Sequence, residues 1–492
     1  METSKPDHHG IVGTLPLFEA LNGAEAGEFL PILFDALMPV LEPVSVRLLL
    51  ADVEERVLNV WGQGGRHPSP PTRWVNIEGS AHGQVYRTGA PAQLKIEGHH
   101  AVVAPVTARR ERLGVLEVLT DNPPSDQVQA AVSATGLILG YLITAADRWT
   151  DEFQVVRRRK EMDLAAEIQW NILPLAAVST DRASLACALE PAYETGGDAF
   201  DYSYGNRCIT AAVFDAMGRG VNAARVSALG VAAFRNGRRC GRDLEGQAAG
   251  IHDALVDRFD EDGFMTGQFI EVDLDEPKRS LIVNAGHPAP FLQRDGGIEP
   301  LELEIDLPFG MPFENELRMQ PLELQPGDRL TLFSDGVVEA RPDGGQVFGT
   351  EQLAETLQRL RGLSPREAAR KLIGAVRDHR GGDPLGRRDD ADPRPPRLTG
   401  PRSFRRRGLS TPRLASNDAG PVGSGSGRPT EEPVIPVRAG GGWLRRPGGK
   451  RVTNDGQSKG RSTTLTTLAT AESMATPMDL PPSGGFVPIP AP

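Results

Sequence analysis

The stretch Ile209–Ala224, ITAAVFDAMGRGVNAA, decides how this chain is read. Ile209 to Phe214 are small or apolar throughout, the composition of a strand buried on both faces. Asp215 ends that run, and Met217-Gly218-Arg219-Gly220 is a glycine turn opening a helix at Val221. A carboxylate at the end of a buried strand, beside backbone that can approach a ligand closely, is poised for chemistry at a sheet edge.

Three further acidic positions share this context. Gly196-Gly197-Asp198 follows ALEPAYET, and the two glycines permit close approach and aim one carboxylate. Asp335 in DRLTLFSDGVVEA again follows an apolar strand and precedes a glycine. Asp389-Asp390 follows an Arg-rich turn. A single strand-end aspartate is usually a cap or turn residue; several, each beside a turn, are harder to explain that way. Hard oxygen donors without His or Cys partners favour Mg²⁺ or Mn²⁺ over zinc.

Together these pieces resemble the PPM-type metal-dependent phosphatases, the protein phosphatase 2C superfamily, and in particular its SpoIIE-like branch. The matching stretches are AAEIQWNILP (165–174), PAYETGGDAFDY (191–202), VFDAMGRGVNAA (213–224), VNAGHPAPF (283–291), LQPGDRLTLFSDGVVEA (324–340) and FGTEQL (348–353), in the family's order. The resemblance implies a four-layer α/β/β/α domain, a β-sandwich of two antiparallel sheets flanked by helices, with two Mn²⁺ or Mg²⁺ ions at one end. It implies that Asp198, Asp215, the carbonyl of Ala216, Asp335 and Asp389 are metal ligands, with Asp215 bridging and Asp390 the lesser choice for the last. Asp215 and Asp335 would be the catalytic pair.

Two ions about 3.5–4 Å apart lower the pKa of a water between them, so no protein nucleophile is needed. Accordingly, no cysteine starts a Cys-x5-Arg loop, and no Gly-x4-Gly-Lys-Ser/Thr phosphate loop is present. Arg219 is a candidate substrate contact through its guanidinium fork, against the plainer reading of a solvated turn arginine. His287 in NAGHP is read as a hydrogen-bonded turn histidine before an acid for the leaving oxygen. Thr266 is read as structural.

In front of this domain, helix, strands, helix, strands and helix follow one another. Residues 16–41 are helical in pattern, Val44–Leu50 and Val57–Trp61 strand-like, and a short helix ends at Gly89. Two strands, Ala101–Val106 and Leu113–Leu119, flank the charged hairpin TARRER, and a helix runs from Ser125 to about Ala146. That order, with GQVYRTGAP and APVTARRERLGVLEV, resembles a GAF domain, an α+β sensor on one antiparallel sheet. It implies either a small-molecule ligand or a purely structural dimerisation role. His99 and His100 are read as a solvated loop pair.

Residues 149–173 carry apolar side chains at helical spacing, ended by Pro174. Either this is a signalling linker forming a parallel coiled coil, or it packs on its own domain. The expected organisation is therefore a flexible 1–14, a GAF-like sensor over 15–148, a linker helix over 149–175, a phosphatase domain over 176–390 and a disordered tail over 391–492.

Bulk properties fit this division. The chain has 492 residues, 39% of them apolar, with 41 Pro and 55 Gly, which suits several domains and an unpacked segment. The net charge of −11 argues against general nucleic-acid binding. Three cysteines without metal spacing, and no long apolar run, suggest a reducing cytoplasm and no membrane. From 384 to 492 there are 17 Lys and Arg against 9 Asp and Glu, a net of +8.

There the family pattern breaks. Asp390 is followed by ADPRPPRLTG, whose prolines cannot make the central strand expected after the Asp pair. Asp389 thus lacks its expected support. A shifted reading frame after about residue 383 would leave such a change; sequencing the locus for an alternative frame encoding an apolar strand tests that.

The function implied is a protein serine/threonine phosphatase acting on a phosphorylated regulatory protein, a small anti-anti-sigma factor in this branch, and working as a homodimer. The alternative is a catalytically impaired signalling module with a degenerate metal site.

Overall fold

The computed structural model describes residues 9–65, 74–190, 193, 197–259, 263–313, 316–381 and 464–470. Its first part runs α1 (His9–Asn22), α2 (Phe29–Leu41), β1 (Ser45–Ala51), β2 (Val57–Gly65), β3 (Trp74–Asn76), α3 (Ala81–Thr88), β4 (Ala92–Ile96), β5 (His99–Ala108), β6 (Glu111–Thr120) and α4 (Asp126–Ala146). The six strands make one sheet in the order β3-β2-β1-β6-β5-β4, and every paired neighbour is antiparallel.

Strand alternation sorts the core of this part. Val46, Leu48 and Leu50 of β1 and Val102, Ala104 and Val106 of β5 meet Leu21, Leu33 and Leu139 of the helices on one face. Leu49, Ala51, Val103 and Val115 meet Val85 and Tyr86 of α3 on the other. α3 ends as the sequence indicates, with Gly89 in the left-handed conformation at φ 70°. The TARRER hairpin turns instead on Arg109 and Arg110, at φ 48° and 77°. His99 and His100 open β5 rather than lying in a loop, and His99 pairs with Asp121 at 3.0 Å.

α4 is long and apolar enough to cross a membrane by length and composition alone. Its Val132, Leu139 and Ile143, however, lie in the core of the sheet domain.

The helical pattern over 149–173 becomes two helices, α5 (Glu152–Val156) and α6 (Leu164–Ile172). Its apolar residues serve separate cores: Phe153 packs with Phe29 and Trp61 of the first domain, Met162 with Tyr193 and Ala166. Within the chain, these apolar residues are divided between two cores.

The rest comprises β7 (Ala177–Ser179), β8 (Ser184–Glu190), β9 (Asp198–Tyr204), β10 (Cys208–Ala216), α7 (Gly220–Arg239), α8 (Leu244–Val256), β11 (Met265–Asp273), β12 (Ser280–Ala285), β13 (Phe291–Arg294), β14 (Gly297–Pro300), β15 (Gln320–Leu322), β16 (Arg329–Phe333), α9 (Asp335–Val338), α10 (Gly349–Arg359), α11 (Pro365–His379) and β17 (Thr464–Thr470). One sheet has the order β15-β12-β11-β10-β9, the other β14-β13-β16-β17-β8-β7. Ile209, Ala211 and Val213 of β10 meet Leu185, Leu189, Leu330 and Leu332 between the sheets. Ala212 and Phe214 face Val231 and Phe234 of α7, while Phe333 and Ala186 face Leu372 and Val376 of α11. The result is the expected four layers, α/β/β/α.

One element departs from the sequence reading. Thr464–Thr470, TLTTLAT, lies within the segment expected to be a disordered tail, yet it pairs antiparallel with both β16 and β8. A β-branched segment from far along the chain thus takes the central position that ADPRPPRLTG, with its prolines, could not.

Candidate active site

Period-two alternation delivers two carboxylates to one place. Asp215 continues the inward-facing series Ile209, Ala211, Val213 of β10, and Asp198 precedes inward-facing Phe200 on β9. In the ladder they are direct partners, Asp215 opposite Asp198, and such partners have Cβ atoms about 4.5–5.5 Å apart. Asp201, from the same GGDAFDY motif, has the opposite parity. It pairs with Arg235 at 2.6 Å and Arg238 at 2.7 Å on α7, away from the site.

Asp335 arrives from the other sheet, at the first position of α9 just beyond β16. Asp335 and Asp215 share a side-chain hydrogen bond, and Ser334 donates to Asp198. The cluster is graded in depth: Asp198 is 2% exposed, Asp215 half-buried and Asp335 open to solvent.

The backbone around the pair is tightly held. Ala216 N donates to Gly197 O at 3.2 Å. A Cβ on Gly197 would stand 2.2 Å from Ala216 O, so only glycine fits. Ser227 of α7 also donates to Gly197 O, and Gln169 of α6 donates to Asp198 O.

Burial, then the charges of Asp215 and Asp335, push the Asp198 carboxyl well above the usual range, and the Arg380 charge offsets this only in small part. Burial and the neighbouring Asp335 raise Asp215 to about 7. Asp198 Oδ1 is buried without a hydrogen-bond partner among the described residues. Among the described residues, no group of three or more His, Cys, Asp or Glu side chains is placed to hold a metal ion as it stands. Carboxylates raised in this way by burial and by one another are the hard oxygen donors that a divalent cation takes.

The remaining sequence candidates separate. Asp389 and Asp390 lie outside the described residues. Arg219 is exposed at the N-cap of α7. His287 is buried, with Nδ1 2.9 Å from Thr266 Oγ1 and its backbone N–H donating to Asn284 Oδ1 at 2.8 Å. Burial pushes its pKa down to about 3, as befits a neutral structural histidine. Thr266, opposite Asp215 in the ladder, holds that ring.

Sequence reading passed over Gln169, Ser227 and Ser334, which steady the ligand backbone or carboxylate, and Arg380, whose Nη2 donates to Gly336 O at 2.9 Å. Gln169 lies inside the quoted AAEIQWNILP motif, the one signal that pointed toward it.

The four-layer sandwich brings its aspartates together at the end of its two sheets, the arrangement that the PP2C resemblance implies. Residues 205–391 match the family model described as Stage II sporulation protein E (SpoIIE), and this part of the chain is a SpoIIE-type PP2C domain. The match takes in Asp215, Asp335 and Asp389; Asp198 precedes it.

Protein IcfG of Synechocystis is 26% identical over 227 residues, covering 40% of this chain and 36% of that protein. Phosphoserine phosphatase RsbU of Bacillus subtilis is 22% identical over 233 residues, covering 47% of this chain and 69% of that protein. The chain therefore spans about a third of the first relative's length. Among solved structures, the PP2C phosphatase domain with a fragment of the regulatory domain of SpoIIE from Bacillus subtilis has 23% identity and a TM-score of 0.36, over 41% of this chain and 59% of that one.

Proposed function

We propose that this protein is a metal-dependent protein phosphatase that hydrolyses phosphoserine or phosphothreonine on a regulatory protein. The observation carrying this reading is the direct cross-strand pairing of Asp198 with Asp215, joined by Asp335 from the second sheet. Like charges opposed in a ladder destabilise a sheet, and a site for divalent cations accounts for them.

Asp198, Asp215, the Ala216 carbonyl and Asp335, with Asp389 as the further ligand, would hold two Mn²⁺ or Mg²⁺ ions. When bound, such ions supply a nucleophilic water at neutral pH and offset charge on the phosphoryl oxygens. Gly197 keeps the two strand ends close, Gln169 and Ser227 fix the backbone bearing Asp198, and Ser334 orients its carboxylate. Arg219, exposed at the start of α7, would contact substrate phosphate through its fork.

The substrate we favour is a small phosphorylated anti-anti-sigma factor, in line with the phosphoserine phosphatase relatives. The GAF-like domain would receive the controlling signal, with a small molecule as its ligand. Leu137 and Tyr141, 48% and 47% exposed on α4, support action as a homodimer, and three free cysteines support a cytoplasmic setting.

Manganese-dependent hydrolysis of a phosphoserine protein by the full chain, compared with Asp215→Asn, tests the proposal. A rate at least about 100-fold lower in the variant is expected if the ions act through this carboxylate. Equal rates would remove the two-metal mechanism and leave the impaired binding module as the better reading.

A further inference from the structure

α11 joins the two ends of the molecule that a regulated phosphatase must connect. Near its start, Arg366 leaves the phosphatase domain and enters a socket in the sheet domain. Its Nη1 donates to Glu111 Oε2 at 2.9 Å, and its Nη2 to Glu55 Oε1 at 2.8 Å and to the Tyr86 hydroxyl at 3.3 Å. The socket belongs to three separate elements: the β1–β2 turn, α3 and the start of β6. Only their correct mutual placement provides all three acceptors, and Arg366 is 8% exposed. One turn further on, Arg370 pairs with Glu78 of the same domain.

Beyond the far end, Arg380 donates to Gly336 O at 2.9 Å, next to Asp335. His379 meets Gln346 O at 3.0 Å and the Phe348 ring edge-on. Between these ends, Ala368, Ala369, Leu372 and Val376 are buried against the sheet that contains β8 and β16. From 366 to 380 the helix spans about 21 Å at 1.5 Å per residue. A helix packed along its length moves as a body rather than bending.

We propose that α11 is the mechanical link by which the GAF-like domain sets the Asp335–Gly336 turn, with Arg366 and Arg380 as positioning residues at its two ends. The consequence for catalysis rests on the phosphatase reading above; the mechanical link itself does not. Any change that rearranges Glu55, Tyr86 and Glu111 relative to one another shifts Arg366, carries α11 with it and moves the carbonyl that Arg380 holds. The socket includes Tyr86 of α3, so a rearrangement of α3 reaches the aspartate turn without touching it.

Amide hydrogen exchange on the full chain without metal reads the link directly. Arg366→Ala and Arg380→Ala are both expected to speed exchange over residues 334–340 by about 5-fold or more, the lower end of typical coupling between sites. Strand β10 over 209–214 is expected to stay protected. Glu111→Gln, which keeps volume and removes charge, is expected to act in the same direction and carries the test if Arg366→Ala does not fold. Arg294→Ala, which breaks the Arg294–Asp328 pair elsewhere in the domain, controls for general loosening and should leave 334–340 unchanged.

Exchange over 334–340 that is unaltered in Arg366→Ala and Glu111→Gln, or altered equally in Arg294→Ala, overturns the link. Calorimetric Mn²⁺ titration separates the two readings. Absence of Mn²⁺ binding by the wild type sinks the phosphatase reading while the exchange result still decides the link.

Discussion

Asp198 and Asp215 are nearest cross-strand neighbours, two acids placed opposite each other at the end of a buried antiparallel ladder. A sheet selected for stability alone would not keep this pair. In metal-free protein at a pH high enough to ionise both acids, Asp215→Asn is therefore expected to raise stability by about 1 kcal/mol, the scale of one like-charge cross-strand contact. Mn²⁺ should raise the melting temperature of the wild type and not of the variant. Thermal melts with and without Mn²⁺ check both signs.

Gly197 is required by space rather than by backbone angle. Gly197→Ala places a methyl group 2.2 Å from Ala216 O and 2.7 Å from Ala216 Cβ. Overpacking of this kind costs about 1–3 kcal/mol, and the strain falls on the segment carrying Asp198. Chemical denaturation should show the lost stability, and Mn²⁺ titration a weaker affinity.

His287 makes the fold sensitive to acid. Its pKa is about 3 in the folded chain against an ordinary value of 6.5. Its contribution is fully present above pH 6.5 and is lost as pH falls toward 3, because the unfolded chain takes up the proton first. At pH 5 the loss amounts to about 2 kcal/mol, at 1.36 kcal/mol per pKa unit. Urea midpoints at pH 7 and pH 5 should fall further for the wild type than for His287→Gln.

The Arg366 socket is expected to dominate the energetics between the two domains. Arg366→Ala leaves Glu111 and Glu55 without their buried cation and should cost about 3–5 kcal/mol. Arg279→Ala, which breaks the exposed Arg279–Glu276 pair, should cost under about 1 kcal/mol. Denaturant melts of the two variants side by side make the comparison.

β17 holds β8 and β16 together. Deleting 464–470 leaves both of those strands with an unpaired edge, and the expected outcome is a phosphatase part without a cooperative transition while the N-terminal sheet still melts as a unit. Calorimetry of the deletion variant tests this. Two cooperative transitions in that variant would show that the strand is dispensable.

Much of the site could be read from sequence because its elements are local. A buried strand, a terminal Asp and a glycine turn occupy adjacent residues, and strand parity then orients the side chain, as at Asp215. Asp335 was legible for the same reason. What escaped was non-local. TLTTLAT has ordinary β-propensity and becomes a strand only between two partners well removed in sequence. The four arginines of PREAARKLIGAVRDHR look like a solvated helix face until Glu55, Tyr86, Glu111 and Gly336 are brought to them. Over 149–173 consecutive apolar residues serve different cores, which periodicity alone does not distinguish.

The placing of β17 also orders events at the ribosome. Domains fold as units, the N-terminal one first during synthesis, and the sheet of β1–β6 is complete by Thr120. The catalytic sandwich must instead wait, its centre open between β8 and β16, until the chain has grown from Glu190 to Thr470. For that interval a folded N-terminal domain stands attached to an unclosed sandwich. The newborn protein has its first sheet folded before its aspartates can meet.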